Sequence, residues 1–245
     1  MLKAFVQRLV NRFGYKIEKL RQPIDAPIEV FDLLMYKLAR EVPDFFFVQI
    51  GANDGVTHDP IREYVLQHHW RGLLVEPQPQ VFQRLLHNYR DEKQLLFEEA
   101  AIADQDGPVK FFVADGPAAT SNNLTVFSSL KKDILARCIP PGGADVSAAA
   151  RMKEINVPAL SVQGLLAKHH ITKIDLLQID TQGYDCEIVR QFLAFSVRPT
   201  VIHFEHYHTG VDDLHACYQS LAAGGYRLAT MEIDTVAYRQ GPRAG

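Results

Sequence analysis

Short apolar runs alternate with amphipathic stretches along most of the chain. Residues 45–50 form a run with the length and aromatic content of a strand that is buried on both faces. Similar runs recur at 72–75, 95–103, 174–180 and 200–205, and most precede a stretch with helical periodicity. This alternation predicts an α/β fold with a doubly wound, mostly parallel sheet.

The pattern also predicts the helices and the end of the sheet. Helices are expected at residues 28–40, 60–69, 79–90, 185–195 and 211–223. The last two runs, residues 226–233 and 235–239, predict an antiparallel pair of strands that closes the sheet.

The regular alternation breaks between residues 114 and 155. This stretch is rich in Ala, Gly, Pro, Ser and Asn, with strands predicted on either side at 109–113 and 156–162 and a short helix near 130–137. A stretch of this length inside a compact domain is usually a functional loop or a disordered one. We interpret it as a lid or substrate-recognition insert; the alternative is a mobile loop with no role.

The first 21 residues differ from the rest in charge. Six Lys and Arg side chains against one Glu give them a net charge of +5, although the whole chain has a net charge of -3. Residues 2–13 have the spacing of a basic amphipathic helix. Such a helix could bind a membrane surface or a glycan-synthesis partner through residues 2–21, or simply pack on the domain. We therefore divide the chain into a helical extension, 1–40, and a catalytic domain, 41–245.

Composition is that of an ordinary soluble globular protein. With 245 residues, 47% hydrophobic and 22% charged, the chain is long enough for one large α/β domain. Its three cysteines are far apart, which favours reduced thiols over a disulfide frame or a zinc site. No apolar run is long enough to span a bilayer, and the net charge gives no reason to expect nucleic-acid binding. We expect a cytoplasmic protein, with a peripheral membrane contact as an option.

The first predicted strand ends in a turn that contains Gly51, Asn53, Asp54 and Gly55. These residue types tolerate the positive φ of tight turns. In open α/β sheets, such a turn brings backbone N–H groups to a nucleotide-like ligand. The spacing is neither that of a dinucleotide site nor that of a P-loop, and Asp54 would repel a pyrophosphate. The turn therefore favours S-adenosylmethionine, which carries an ammonium group, over NAD or ATP.

Polar residues follow the ends of four predicted strands. They are Asp54, Glu76, Asp180 and the cluster at residues 205–208. Because ligands lie outside the carboxyl ends of parallel strands, these residues predict a binding site, although each could instead cap a helix. Glu76 lies about twenty residues after the turn, where such folds place a carboxylate that accepts ribose hydroxyls.

Four motifs resemble those of the FkbM family of S-adenosylmethionine-dependent methyltransferases. They are residues 49–55, 75–77, 100–104 and 174–185, in the family's order, and the resemblance covers residues 43–240. It implies the class I methyltransferase fold, a Rossmann-like seven-stranded sheet whose last strand is antiparallel. It also implies O-methylation of a hydroxyl on a sugar, a glycan or a small secondary metabolite.

The resemblance implies a cofactor site as well. The four turn residues would hold the methionyl part of S-adenosylmethionine, and Glu76 would hold its ribose. Glu99 and Ala101 would flank the adenine, and Asp180 would lie beside the methionyl amine or the acceptor. The chain departs from the family pattern at Asp185, where Glu is usual, and in the insert, which has little that matches.

The reaction implied by this resemblance would need a general base. Methyl transfer depends mainly on positioning, because the sulfonium is already activated, but a hydroxyl is a poor nucleophile. His206 and His208 follow a predicted strand and are candidate bases, with Asp180 as the rival. The two histidines could also be incidental. Asp180, Glu205 and His206 are possible metal ligands by type, but their spacing is not diagnostic and we predict no metal.

Two other functions compete with methyl transfer. A catalytically inactive scaffold of the same fold would keep the pocket and bind a ligand without turnover. An NAD-dependent oxidoreductase is disfavoured by the missing G-x-G-x-x-G motif.

Overall fold

The structure is a computed structural model that describes residues 29–115, 128–138 and 151–239. The predicted basic helix at 2–13 and parts of the insert lie outside these residues. The elements, in chain order, are α1 (Val30–Glu41), β1 (Phe46–Ile50), α2 (Arg62–His68), β2 (Arg71–Val75), α3 (Pro79–Asn88), β3 (Leu95–Glu98), β4 (Ala101–Ile102), β5 (Gly107–Asp115), β6 (Ser128–Ser129), α4 (Lys132–Cys138), β7 (Arg151–Leu160), α5 (Val162–Lys168), β8 (Leu176–Ile179), α6 (Asp185–Leu193), β9 (Val201–Glu205), α7 (Val211–Ala223), β10 (Arg227–Met231) and β11 (Asp234–Tyr238).

Seven of these strands form the central sheet, in the order β10–β11–β9–β8–β1–β2–β3. Neighbouring strands are parallel except where β11 pairs, antiparallel, with β9 and β10. The predicted fold class is therefore confirmed: the sheet is doubly wound and its last strand is antiparallel.

Helices cover both faces of this sheet. Successive side chains of a strand point to opposite faces, so Phe47 packs with α1, α2 and α3 while Val48 packs with α5, α6 and α7. Burial on both faces explains why the central strands are continuous apolar runs. Cys186 and Cys217 are free thiols buried on the face of the sheet that α5, α6 and α7 cover. None of the described helices is long and apolar enough to cross a membrane.

A second sheet, with the order β4–β7–β5–β6, forms around the ends of the predicted insert at 114–155. The pattern predicted one strand at 95–103, and this was wrong. The chain leaves the central sheet after Glu98, and Ala101 then pairs with Ala159 of β7. Strands β5 and β7 pair over nine residues, so β5 extends two residues and β7 extends five residues into the stretch that was interpreted as a lid or substrate-recognition insert.

Hydrogen bonds close the base of the second sheet, where the chain enters β5 and leaves β7. The N–H of Ala103 donates to the carbonyl of Leu160 at 3.0 Å, and Asp106 accepts from the backbone and hydroxyl of Ser161 at 2.7 and 2.8 Å. Ser161 also caps α5, accepting from the N–H of Gly164 at 3.0 Å. Helix α5 has only seven residues and was not predicted.

Gly72 provides a test of the packing between β1 and β2. A Cβ at Gly72 would overlap the ring of Phe47, which is fully buried and has no space to move into. We expect Gly72→Ala to lower the free energy of unfolding by about 1–3 kcal/mol, the usual range for overpacking. At Gly210, the N-cap of α7, an added Cβ would have no atom within 4 Å, so Gly210→Ala should lower the free energy of unfolding only by the weaker capping of Ala, about 0.5 kcal/mol. Urea unfolding of both variants is the measurement, and equal effects would contradict this account.

Candidate active site

A cavity of about 510 Å³ opens at the carboxyl edge of the central sheet. Its walls come from the turn after β1, the ends of β2, β8 and β9, the β10–β11 connection and the second sheet. The volume is in the range of small-molecule sites, roughly 300–1,000 Å³. The position is the one at which open α/β sheets bind ligands.

The turn after β1 is held against the end of β8. Gly51 has a φ of 78°, and a Cβ there would overlap the backbone carbonyl oxygen of Asp180. The N–H of Asp180 also donates to the carbonyl of Ile50 at 2.9 Å. Gly51, Asn53 and Asp180 all line the cavity. Glycine is therefore required for the turn and the end of β8 to meet.

Asp54 closes the turn from within and does not line the cavity. Its carboxylate accepts from the N–H groups of Val56 and Thr57 at 2.9 and 2.8 Å, and from the Thr57 hydroxyl at 2.9 Å. Burial opposes ionisation of this carboxyl, but the hydrogen bonds outweigh it and lower the pKa. Gly55 lies outside the lining too, packed against α3.

Glu76 ties the end of β2 to the turn and faces the cavity. One carboxylate oxygen accepts from the N–H of Asn53 at 3.0 Å, and the other accepts from the N–H of Gln78 at 2.9 Å. The side chain is 3% exposed, and burial raises the pKa of this carboxyl to about 7, against the opposing effect of the two hydrogen bonds.

The second sheet supplies an apolar wall beside Glu76. Ala100, Ala101, Ile102 and Phe111 line this part of the cavity. Glu99, which was expected to flank the adenine with Ala101, is not part of the lining.

Three carboxylates, Asp180, Glu205 and Asp234, form what we call the acid rim. They line the cavity at the ends of β8 and β9 and the start of β11. The amide nitrogen of Gln182 donates to Asp180 Oδ1 at 2.8 Å and to Glu205 Oε2 at 3.1 Å. Burial and the other nearby carboxylates raise the pKa of Glu205 to about 9 and that of Asp234 to about 6.

Burial also raises the pKa of Asp180, with hydrogen bonding from Gln182 and the charge of His58 acting in the opposite direction. His58 lines the cavity in a left-handed backbone conformation, with φ of 54°. Among the described residues, no group of three or more His, Cys, Asp and Glu side chains is arranged to hold a metal ion.

Beneath the rim, Gln49, Gln178 and His203 form what we call the polar floor. They are in register across β1, β8 and β9, and all three line the cavity. His203 Nδ1 lies 2.6 Å from the amide oxygen of Gln178, and its ring stacks on Phe31 with centroids 4.2 Å apart. Burial lowers the pKa of His203 to about 4, so it is neutral at pH 7. The available sequence signal was three polar residues inside apolar strands.

The histidines predicted as bases lie outside the lining of the cavity. His206 Nδ1 is 3.0 Å from the hydroxyl of Thr235, and burial lowers the pKa of this imidazole. His208 packs edge-on against Tyr207, with centroids 4.9 Å apart. The structure thus brings Asp180 to the cavity and leaves these two side chains beside it.

A family model described as a methyltransferase FkbM domain matches residues 49–228. The chain belongs to the FkbM methyltransferase family. S-adenosylmethionine is its cofactor. None of the curated proteins matches the sequence.

Solved structures similar to this chain include other methyltransferases. An FkbM methyltransferase from Methylobacillus flagellatus KT is 11% identical to this chain, with a TM-score of 0.48. The match includes 80% of this chain and 44% of that one, so this chain spans less than half of that protein's length. A precorrin-6y C5,15-methyltransferase from Geobacter metallireducens GS-15 is 14% identical over 86% and 87% of the chains, with a TM-score of 0.43. Aeropyrum pernix fibrillarin, solved with natively bound S-adenosyl-L-methionine, is 12% identical over 84% and 73%, with a TM-score of 0.41.

The residues around the turn fit this cofactor. Asn53 Oδ1 is buried and has no hydrogen-bond partner among the described residues, although the residue lines the cavity. An amide oxygen in that state requires an N–H or O–H donor. The carboxylates of Glu76 and Asp180 face the same space. S-adenosylmethionine offers an ammonium group, ribose hydroxyls and an adenine for the apolar wall.

Glu76 and Glu99 provide a matched pair for cofactor binding. If Glu76 accepts ribose hydroxyls, Glu76→Ala should weaken S-adenosylmethionine binding by about 1–3 kcal/mol, because a hydrogen bond to a charged group is lost. Glu99→Ala removes the same charge from outside the lining and should leave affinity unchanged. Calorimetric titration measures both, and wild-type affinity in Glu76→Ala would rule out the ribose assignment.

The raised carboxyl pKa values of Glu76, Asp185 and Glu205 predict how stability depends on pH. Burial raises the pKa to about 7 in Glu76 and Asp185 and to about 9 in Glu205. Between pH 6.5 and 9 the folded chain therefore holds protons that the unfolded chain has lost, and stability falls as pH rises. Thermal unfolding without cofactor should show this decline, and Glu205→Gln should reduce it. A melting temperature that rises across this window would contradict the prediction.

Proposed function

We propose that this protein transfers a methyl group to a hydroxyl of a sugar, a glycan or a small secondary metabolite. The observation that carries the proposal is the carboxylate of Asp180, the member of the acid rim that lies beside the cofactor turn and is open to the cavity. A hydroxyl acceptor needs such a base, because its oxygen is a weak nucleophile until its proton is removed.

In the proposed arrangement, the cofactor lies along the β1–β2 side of the cavity. Gly51 and Asn53 hold its methionyl part, Glu76 its ribose hydroxyls and Ala101 its adenine. When bound, it supplies a methyl group already activated by a sulfonium. The sheet ends fix these contacts, since backbone hydrogen bonds of 3.0 Å join the N–H groups of Gly51 and Ala52 to the carbonyl of Val75.

Asp180 is the proposed general base, while His206 and His208 are set back from the cavity. Burial raises the pKa of Asp180, which makes it a stronger base than a free carboxylate. Hydrogen bonding from Gln182 and the nearby His58 favour the ionised form that can accept a proton. The carboxylate would take the hydroxyl proton as the acceptor oxygen displaces the thioether sulfur from the methyl carbon, which would leave S-adenosylhomocysteine.

The lining supports an uncharged or cationic acceptor. Among the described residues that form it there is no Lys or Arg, the side chains on which recognition of phosphates usually depends. This supports a glycan or small-molecule acceptor over a nucleic acid. The basic segment 2–21 is retained in the proposal as a contact with a membrane surface or a glycan-synthesis partner.

Asp180→Asn and His206→Ala separate the candidate bases. Asn can still accept the hydrogen bond from Gln182, so the variant removes basicity with little change in shape. We expect Asp180→Asn to lower turnover by about two orders of magnitude or more, and His206→Ala to leave it within about twofold. The assay follows methylation of a glycoside panel by mass spectrometry, with the methyl position assigned by fragmentation. The reverse result would move the role to His206, and methylation on nitrogen or carbon alone would refute the proposed function.

A further inference from the structure

The carboxyl groups of the acid rim lie close together and are not paired with Lys or Arg side chains of the described residues. Asp180, Glu205 and Asp234 end or begin three neighbouring strands, which in a sheet lie about 4.8 Å apart. Glu205 and Asp234 are paired in register. No Lys or Arg of the described chain forms an ion pair with any of the three; His203 Nε2 lies 4.0 Å from Asp234 Oδ2, and the charge of His58 acts on Asp180.

His203 does not neutralise the rim, because burial lowers its pKa to about 4. Glu205 and Asp234 instead have raised pKa values, through burial first and then through the neighbouring carboxylates. Carboxylates this close resist ionising together unless a cation lies among them.

The polar floor offers an independent observation. Gln49 is 3% exposed, and its amide N–H bonds to the carboxylate of Asp59. That bond fixes the orientation of the amide and leaves Gln49 Oε1 buried with no partner among the described residues. The cavity thus presents an unused hydrogen-bond acceptor below a rim of carboxylates, so its complement is a ligand rich in N–H and O–H donors.

The cofactor accounts for only part of this site. Asn53 Oδ1, in the turn, can accept from the ammonium group of the cofactor, and Asp180 beside the turn is the proposed base for the acceptor hydroxyl. Glu205 and Asp234 lie one and two strands farther from that turn. Those two carboxylates are therefore placed to meet the acceptor.

We propose that the acceptor carries a protonated amino group near the hydroxyl that is methylated, as in an amino sugar or an aminocyclitol, and that Glu205 and Asp234 bind it. This inference rests on the proposed function. It also explains selectivity for oxygen. An ammonium group held between carboxylates has no free electron pair to attack a methyl group, whereas the adjacent hydroxyl keeps its electron pairs and can lose its proton to Asp180.

The test compares the methyl glycoside of one hexose, the 2-hydroxy form, with three analogues that are each altered at one group: the 2-amino form, the 2-acetamido form and the uronic acid. Calorimetry with the purified chain saturated with S-adenosylhomocysteine should show that the 2-amino form binds about ten- to a hundredfold more tightly than the others, the range of charged hydrogen bonds. The variants Glu205→Gln and Asp234→Asn should lose this preference.

Two controls make the result specific to the rim. Glu232→Gln removes one charge from an exposed position in the same β10–β11 connection, outside the cavity lining, and should keep the preference. S-adenosylhomocysteine affinity should be the same in all variants, and the melting temperature of Glu205→Gln should not fall, because a neutral amide replaces a carboxyl whose pKa is raised to about 9.

Equal binding of the amino and hydroxy forms would overturn the inference, as would no binding of the amino form, or a preference that survives both rim variants. The same titrations separate this inference from the proposed function. Amine-selective binding without methylation would remove the enzyme assignment alone, and methylation of the hydroxy form without amine selectivity would remove the amine assignment alone.

Discussion

The site depends on the close approach of two backbones at the centre of the sheet. The turn after β1 packs against the end of β8 where Gly51 has no side chain, and the carbonyl of Asp180 occupies the space that a Cβ would need. The N–H groups of Gly51 and Ala52 share the carbonyl of Val75, which joins β2 to the same point. Three strand ends are therefore fixed together, and the side chains that follow them, including Glu76 and Asp180, share one cavity.

The carboxylates at this edge differ in role because their hydrogen-bond partners differ. Asp54 accepts only from its own turn. Asp185 is fully buried and accepts from the N–H groups of Thr181 and Gly183 at 3.2 and 3.0 Å, which holds the loop after β8. Glu205 instead receives one side-chain amide and repulsion from its neighbours. Asp54 and Asp185 therefore hold loops in place, whereas Glu205 keeps acceptor capacity for a ligand.

The sequence predicted the central sheet because burial on both faces leaves a continuous apolar run for each strand. It could not predict where the run at 95–103 changes partner, since Ala101 pairs with a strand more than fifty residues away. Glu76 and Asp180 were found because they directly follow strands. The direction of the His206 and His208 side chains depends on how the chain turns after β9, which the pattern does not specify. The polar floor can be recognised as one site only when the strand register places Gln49, Gln178 and His203 side by side.

The second sheet has a consequence for how this fold diversifies. Strands β5 and β7 begin and end at adjacent points, where a few hydrogen bonds among Ala103, Asp106, Leu160 and Ser161 close the base. The chain between these strands also returns to the central sheet, where the Ser129 hydroxyl donates to the carbonyl of Gln182 at 2.8 Å and Lys131 pairs with Glu187 at 3.2 Å. A relative could therefore lengthen or shorten the hairpin without moving the cavity only if it kept this second attachment to the loop after β8.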